Sequence, residues 1–157
     1  MLLRQLGNVL VRKPGRGEPV AIQAHIDMVG EKTSSSTHDF LTQPINAEIE
    51  GEVLISRETT LGADNGIGVA VMLELLDGEY PGLPPLECVF TVDEERGLIG
   101  ALGMAPEWIQ AERLINLDSE ELGVLIIGCA GGRDVMITLE GRFEEYSGTG
   151  VEITVDG

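Results

Sequence analysis

Four short stretches of this chain place carboxylates, and in one case a histidine, where they can hold a cation. The first is AHIDMV, in which His25 and Asp27 stand two apart at the end of an apolar run. In an extended strand that spacing puts both side chains on one face. His25 can then bind a metal while Asp27 accepts the other ring N–H or steadies the neighbouring geometry, an arrangement metal-bound histidines usually need. The second is TLGADNGIG, where Asp64 stands at the entry to an apolar, helix-like segment, among Gly62, Gly66 and Gly68. Glycine inside a helix costs about 1 kcal/mol against alanine, so these glycines suggest that something approaches the backbone closely. A carboxylate there has two oxygens and can bridge two metals. The third is TVDEERG, in which Asp93, Glu94 and Glu95 follow an apolar strand. Adjacent residues of an extended chain point opposite ways, so one Glu can ligate a metal while the other faces substrate and water. The fourth is INLDSEELG, with Asp118 at a strand end and Glu120 and Glu121 after it.

Each stretch alone also fits ordinary structure: a hydrogen-bonded histidine, a helix N-cap, a solvated acidic turn, a capped loop. Together they are more specific. Each lies at or just beyond the C-terminal end of an apolar strand, or in a loop leading into a helix. In open α/β sheets that edge is where ligands bind. So many carboxylates meeting there repel one another unless cations sit between them, and two divalent ions would account for them.

The elements that must position these groups can be read from pattern. Asn8 to Lys13 and Val20 to Ala24 read as strands separated by the turn-rich PGRGEP. Thr33 to Thr37 is a polar loop. Ile45 to Ile49 and Val53 to Ser56 alternate around Glu50-Gly51-Glu52, a hairpin pattern. Asn65 to Leu76 is a helix, apolar nearly all round and therefore expected to be buried. Asp64 or Asn65 can cap it, and Gly78 stands just past its end. Leu86 to Val92 is a core strand, Leu98 to Met104 a short helix and Leu114 to Leu117 another strand. Val124 to Cys129, Val135 to Leu139 and Val151 to Val155 read as further strands. The chain shows no internal repeat.

The 157 residues fit one domain able to bury a real core. Aromatics are only 4% of the chain, so aliphatic side chains must fill that core, and with 21 glycines this favours an α/β domain. Ten basic against 27 acidic residues give a net charge of −17. Such a surface repels phosphate backbones and anionic lipid, which argues against nucleic-acid and membrane partners. Scattered, the same charge serves solubility alone. Cys88 and Cys129 sit in apolar stretches and read as buried thiols of a reducing compartment. The N-terminus has no signal-peptide pattern and no run is long enough for a membrane span, so a soluble, cytoplasmic protein is expected.

AHIDMV, TLGADNGIG, DEERG and LDSEE followed by IGCAGG resemble, in that order, the M20 metallopeptidases, in particular their aminoacyl-histidine (Xaa-His) dipeptidase branch. The resemblance runs from about Gly7 to Gly132. It implies a three-layer αβα zinc-peptidase-like catalytic domain with a mixed sheet. It implies two Zn2+ per complete site, with Mn2+ or Co2+ as alternatives. His25 and Asp118 would bind one zinc, Glu95 the other, and Asp64 would bridge both. Glu94 would be the general base toward the shared water, and Asp27 would support His25. The implied reaction is hydrolysis of Xaa-His dipeptides. Arg96 departs from the pattern, since a small residue is expected beside the paired glutamates.

The family's members are longer than this chain. On that ground residues 1–157 are expected to be a partial catalytic domain, with a lid and dimerisation domain after 157 and a returning segment that carries a last histidine ligand. A homodimer would form through that lid. His38, in TSSSTHDF, does not stand at a ligand position of the family. Two other readings remain at this point: a non-catalytic metal-binding or regulatory module of the same fold, and an acidic interaction domain.

Overall fold

The computed structural model describes residues 2–119, 121 and 123–128, and beyond these only positions 131, 136, 138, 141, 145 and 147–150. The chain divides into two compact units, Met1–Val124 and Leu125–Gly157. The first holds the regular structure in chain order: β1 (Leu2–Arg4), a 3-10 turn, β2 (Asn8–Lys13), β3 (Val20–His25), the hairpin β4 (Glu48–Glu50) and β5 (Val53–Ile55), α1 (Ala63–Asp77), β6 (Leu86–Thr91), α2 (Ile99–Leu102), a 3-10 turn at Pro106–Trp108, and β7 (Arg113–Asn116).

Five strands form one sheet in the order β1-β2-β6-β3-β7. β3 runs parallel to β6 and to β7, whereas β2 is antiparallel to β6 and β1 to β2. The sheet is therefore mixed, with helices packed on it, an α/β fold. β6 is central and buried along its whole length, which its sequence LECVFT suits on both faces. On one face Ile22, Ala24, Leu86, Cys88 and Phe90 pack with Met72 of α1. On the other, Leu10 and Val89 pack with Trp108, Met104 and Ile109. Thus α1 and the segment carrying α2 form the outer two layers.

The strands over 8–13, 20–25 and 86–91 lie where the pattern puts them, and the hairpin forms in shortened form with Gly51 at φ +63°. The expectation of a buried α1 is corrected. Gly68 and Met72 are buried, but Ile67, Val71 and Leu73 are exposed. An apolar helix packed on one face of a sheet buries one stripe, whatever the composition of the other. Gly78 ends α1 with φ −70° rather than left-handed; a Cβ there would meet Tyr80 at 2.5 Å and the Glu74 carbonyl oxygen at 2.9 Å. Lys13 Nζ donates to the last carbonyls of α1, those of Leu75, Leu76 and Gly78, and so caps the helix dipole.

Val124 to Gly128 are not a strand. An apolar run becomes one only when a neighbour takes its N–H and C=O groups, and among the described residues no strand does so. The strands expected over 135–139 and 151–155 lie largely or wholly outside the described residues, as does Cys129. Cys88 is a free, buried thiol. No helix of the described residues is long and apolar enough to cross a membrane.

Candidate metal centre

Parallel pairing brings the carboxyl ends of β3, β6 and β7 to one edge of the sheet. From β3 the chain passes over one face through α1; from β6 it passes over the other through α2. Between two such strand ends an α/β sheet opens a crevice. His25 is the last residue of β3, Glu94 and Glu95 follow β6, Asp118 follows β7, and Asp64 stands at the start of α1.

These five converge. His25, Asp64 and Asp118 offer ligand atoms within 4.8 Å of one another, as do His25, Glu94 and Glu95. The two groups share His25, so they form one cluster about its imidazole. His25 Nε2 lies 2.9 Å from Asp64 Oδ1, 3.6 Å from Asp118 Oδ1 and 3.9 Å from Glu94 Oε2. The ring is 1% exposed, while the carboxylates around it are open to solvent to differing degrees.

Asp27 orients the ring, though mainly through its backbone. Its carbonyl oxygen lies 2.9 Å from His25 Nδ1, whereas the carboxylate is at 3.5 Å. A carbonyl only accepts, so Nδ1 carries a proton; Nε2–H then donates to Asp64 Oδ1 at 2.9 Å, and this is the nitrogen whose lone pair a metal ion would take in place of that proton. Asp27 Oδ2 instead accepts the Glu95 N–H at 3.2 Å, tying the end of β3 to the acidic loop. Burial pushes this carboxyl's pKa up, but the backbone N–H groups of Glu94, Glu95 and Asp27 itself, with His25, outweigh it and leave the pKa lowered.

Glu94, Asp118 and His25 respond to this crowding of acids. Burial and the charges of Asp118, Glu95 and Asp27 raise the Glu94 carboxyl against the pull of His25. Burial raises Asp118 too, together with Asp64 and Glu95, again against His25. Burial lowers the His25 pKa, but Asp64, Asp118 and the Asp27 carbonyl reverse this and leave it raised. Among the described residues no lysine or arginine pairs with Asp64, Glu94, Glu95 or Asp118. Arg96 turns to Asp93, at 3.9 Å, and is largely exposed. One imidazole nitrogen and several carboxylate oxygens without a counter-cation are a donor set that fits a divalent metal ion.

The profile of Peptidase family M28 matches residues 8–124, a span that contains the whole cluster. The chain belongs to this peptidase family. The profile carries the M28 description where the motifs pointed to M20, and the relatives' names agree with the dipeptidase branch. The chain is 49% identical over 135 residues to the cytosol non-specific dipeptidase of Escherichia coli, covering 83% of this chain and 28% of that protein. Among solved structures of peptidases it is similar to the aminoacylhistidine dipeptidase of Vibrio alginolyticus, with a TM-score of 0.72 and 43% identity over 76% of this chain and 26% of that one. It is also similar to the aminopeptidase PepT of Bacillus cereus, with a TM-score of 0.58 and 25% identity over 73% and 30% of the two chains. The chain thus spans between a quarter and a third of the length of these peptidases.

Every site residue expected from the sequence lies in or against the cluster, and His38 lies apart from it, in the polar excursion between β3 and α1 near Glu48 and Glu58. Two expectations about the glycines hold: a Cβ on Gly68 would meet Asn65 Oδ1 at 2.1 Å, and one on Gly62, at φ +79°, would meet Met28 Sδ at 2.8 Å. Gly66 has nothing within 4 Å. Sequence reasoning assigned Asn65 no more than a capping role. It is 3% exposed and donates from Nδ2 to Asp118 Oδ1 at 2.9 Å.

Proposed function

We propose that this chain is the metal-holding part of the catalytic domain of a dipeptidase, and that the whole enzyme hydrolyses dipeptides, Xaa-His among them, with two zinc ions. The convergence of His25, Asp64, Glu94, Glu95 and Asp118 at the carboxyl ends of three parallel strands carries this reading. The names of the two dipeptidase relatives support the substrate class. His25 and Asp118 would hold one ion and Glu95 the other, with Asp64 as a ligand shared by both. Mn2+ or Co2+ would satisfy the same donors. Bound there, two divalent ions polarise the scissile carbonyl and acidify a water molecule.

The chain's own residues do the rest. Asp27 fixes the tautomer and tilt of His25 through its carbonyl oxygen and holds the acidic loop through Glu95 N–H. Glu94, beside the ligands and kept free of the metals, takes a proton from the attacking water and passes it to the departing amine. The chain spans about a quarter of the length of its dipeptidase relatives, and among the described residues His25 is the one histidine in the cluster, so the chain alone is expected to bind fewer than two tight zincs and to turn over weakly or not at all. A cytoplasmic setting follows the cytosolic relative.

Glu94→Gln and Glu95→Gln test the assignment in a protein carried to the relatives' length. Glu94→Gln should lose the kcat for an Xaa-His dipeptide by at least about a hundredfold with metal content unchanged. Glu95→Gln should lose metal. Full turnover by the Glu94 variant would overturn the base assignment, and metal binding without turnover by the unaltered protein would favour a non-catalytic module.

A further inference from the structure

We infer that Asn65 is a positioning residue, whose side-chain amide holds the Asp118 carboxylate in place for a cation; this rests on the metal reading of the cluster. Asn65 follows Asp64 directly, and the two side chains reach different members of one group. Asp64 Oδ1 meets His25 Nε2 at 2.9 Å, and Asn65 Nδ2 meets Asp118 Oδ1 at 2.9 Å.

The orientation of the Asn65 amide is not free. Its Oδ1 accepts the Gly68 N–H at 3.1 Å, a capping bond to the first regular turn of α1, since Asp64 and Asn65 themselves have non-helical backbone angles. With the oxygen so committed, the NH2 is the end that faces Asp118. A neutral donor suits this place. It fixes the carboxylate by one lone pair without neutralising it, and leaves the other lone pairs for a metal ion. A lysine or arginine there would compete with the ion for the same charge.

Gly68 is the independent sign of the same arrangement. A Cβ at this position would meet Asn65 Oδ1 at 2.1 Å, and Leu117 Cβ and the Leu117 carbonyl oxygen at 3.0 Å. The absent side chain therefore lets the helix start, Asn65 and the residue before Asp118 pack together. Asp118 has a second guide, since its N–H donates to Asn116 Oδ1 at 3.1 Å, but that bond fixes the backbone and not the carboxylate.

The test is zinc titration by calorimetry of the chain and its Asn65→Ser variant, with metal-free thermal melting of both. Serine caps a helix as well as asparagine does, but its hydroxyl is too short to reach Asp118 while capping. The expected result is a tenfold to hundredfold loss of zinc affinity, with the metal-free melting temperature within about 4 °C of the unaltered chain. Gly68→Ala, which displaces the same amide, should lose zinc affinity similarly. A folded Asn65→Ser chain that binds zinc as tightly as the unaltered one would overturn the inference and leave the metal reading standing, as would a large fall in melting temperature at unchanged affinity. An unaltered chain that takes up no zinc would overturn both.

Discussion

Glu87 and Glu94 lie near opposite ends of β6, and their surroundings drive them apart. Glu87 is buried with its charge fully answered. Arg12 Nε donates to it at 2.7 Å, and the backbone N–H groups of Gln110 and Ala111 donate at 2.7 and 2.9 Å. Burial pushes its pKa up, but these partners outweigh that and lower it. Arg12 also donates to the Trp108 carbonyl oxygen at 2.6 Å, so the cluster pins the outer layer to the sheet. Around Glu94 the neighbours are mostly acids, and burial together with their charges raises its pKa. The first carboxylate is completed by the protein itself. The second belongs to a group that the protein leaves short of positive charge, and that difference separates a structural acid from one in a cluster that fits a cation.

Removing the completed acid should cost most. Glu87→Ala leaves Arg12 and two N–H groups without their acceptor and should destabilise the fold by about 3 kcal/mol, read by urea unfolding. A loss under about 1 kcal/mol would show that the cluster is no more than a surface pair. The same acid sets a pH dependence. Because its folded pKa lies below the unfolded one, its contribution is present above the ordinary glutamate pKa of about 4.3 and is lost as pH falls through the folded value. Glu87→Gln should flatten that acid limb of the stability curve.

At the other end of the strand the sign reverses. Glu94→Gln relieves like-charge crowding and should stabilise the metal-free chain by about 0.5–1 kcal/mol. A loss of metal-free stability would contradict the view that this cluster is incomplete. The scaffold gives a further contrast. Gly68→Ala crowds Asn65 and Leu117 and should destabilise by about 1–3 kcal/mol, whereas Gly66→Ala, with open space around it, should gain about 0.5–1 kcal/mol. Thermal melting of the pair decides whether close approach at the centre, rather than helix propensity, requires the first glycine.

Much of the centre was legible because its chemistry is local. An acid or histidine following a buried strand marks a sheet edge, and the repeated signal at His25, Glu94, Glu95 and Asp118 needs no knowledge of the pairing to suggest one edge. Asp64 was legible through the glycines around it. The Glu87 cluster was not, because Arg12 meets Glu87 only through the register of β2 on β6, and Gln110 and Ala111 reach it only from the segment after Trp108. Asn65 was half legible: its capping of α1 follows from local pattern, but its bond to Asp118 spans 53 positions. The outer face of α1 misled, because Ile67, Val71 and Leu73 carry apolarity that the described fold leaves exposed. Val124 to Gly128 misled in a related way, by strand propensity without a paired neighbour among the described residues.

The central claim is that His25 at the end of β3 and the acids at the carboxyl ends of β6 and β7 form one cation site through Asp64. Calorimetric titration of zinc into this chain and into its Asp64→Ala variant tests it most directly. The account predicts tight binding of fewer than two zincs by the unaltered chain and its loss in Asp64→Ala. Equal binding by both proteins would contradict it.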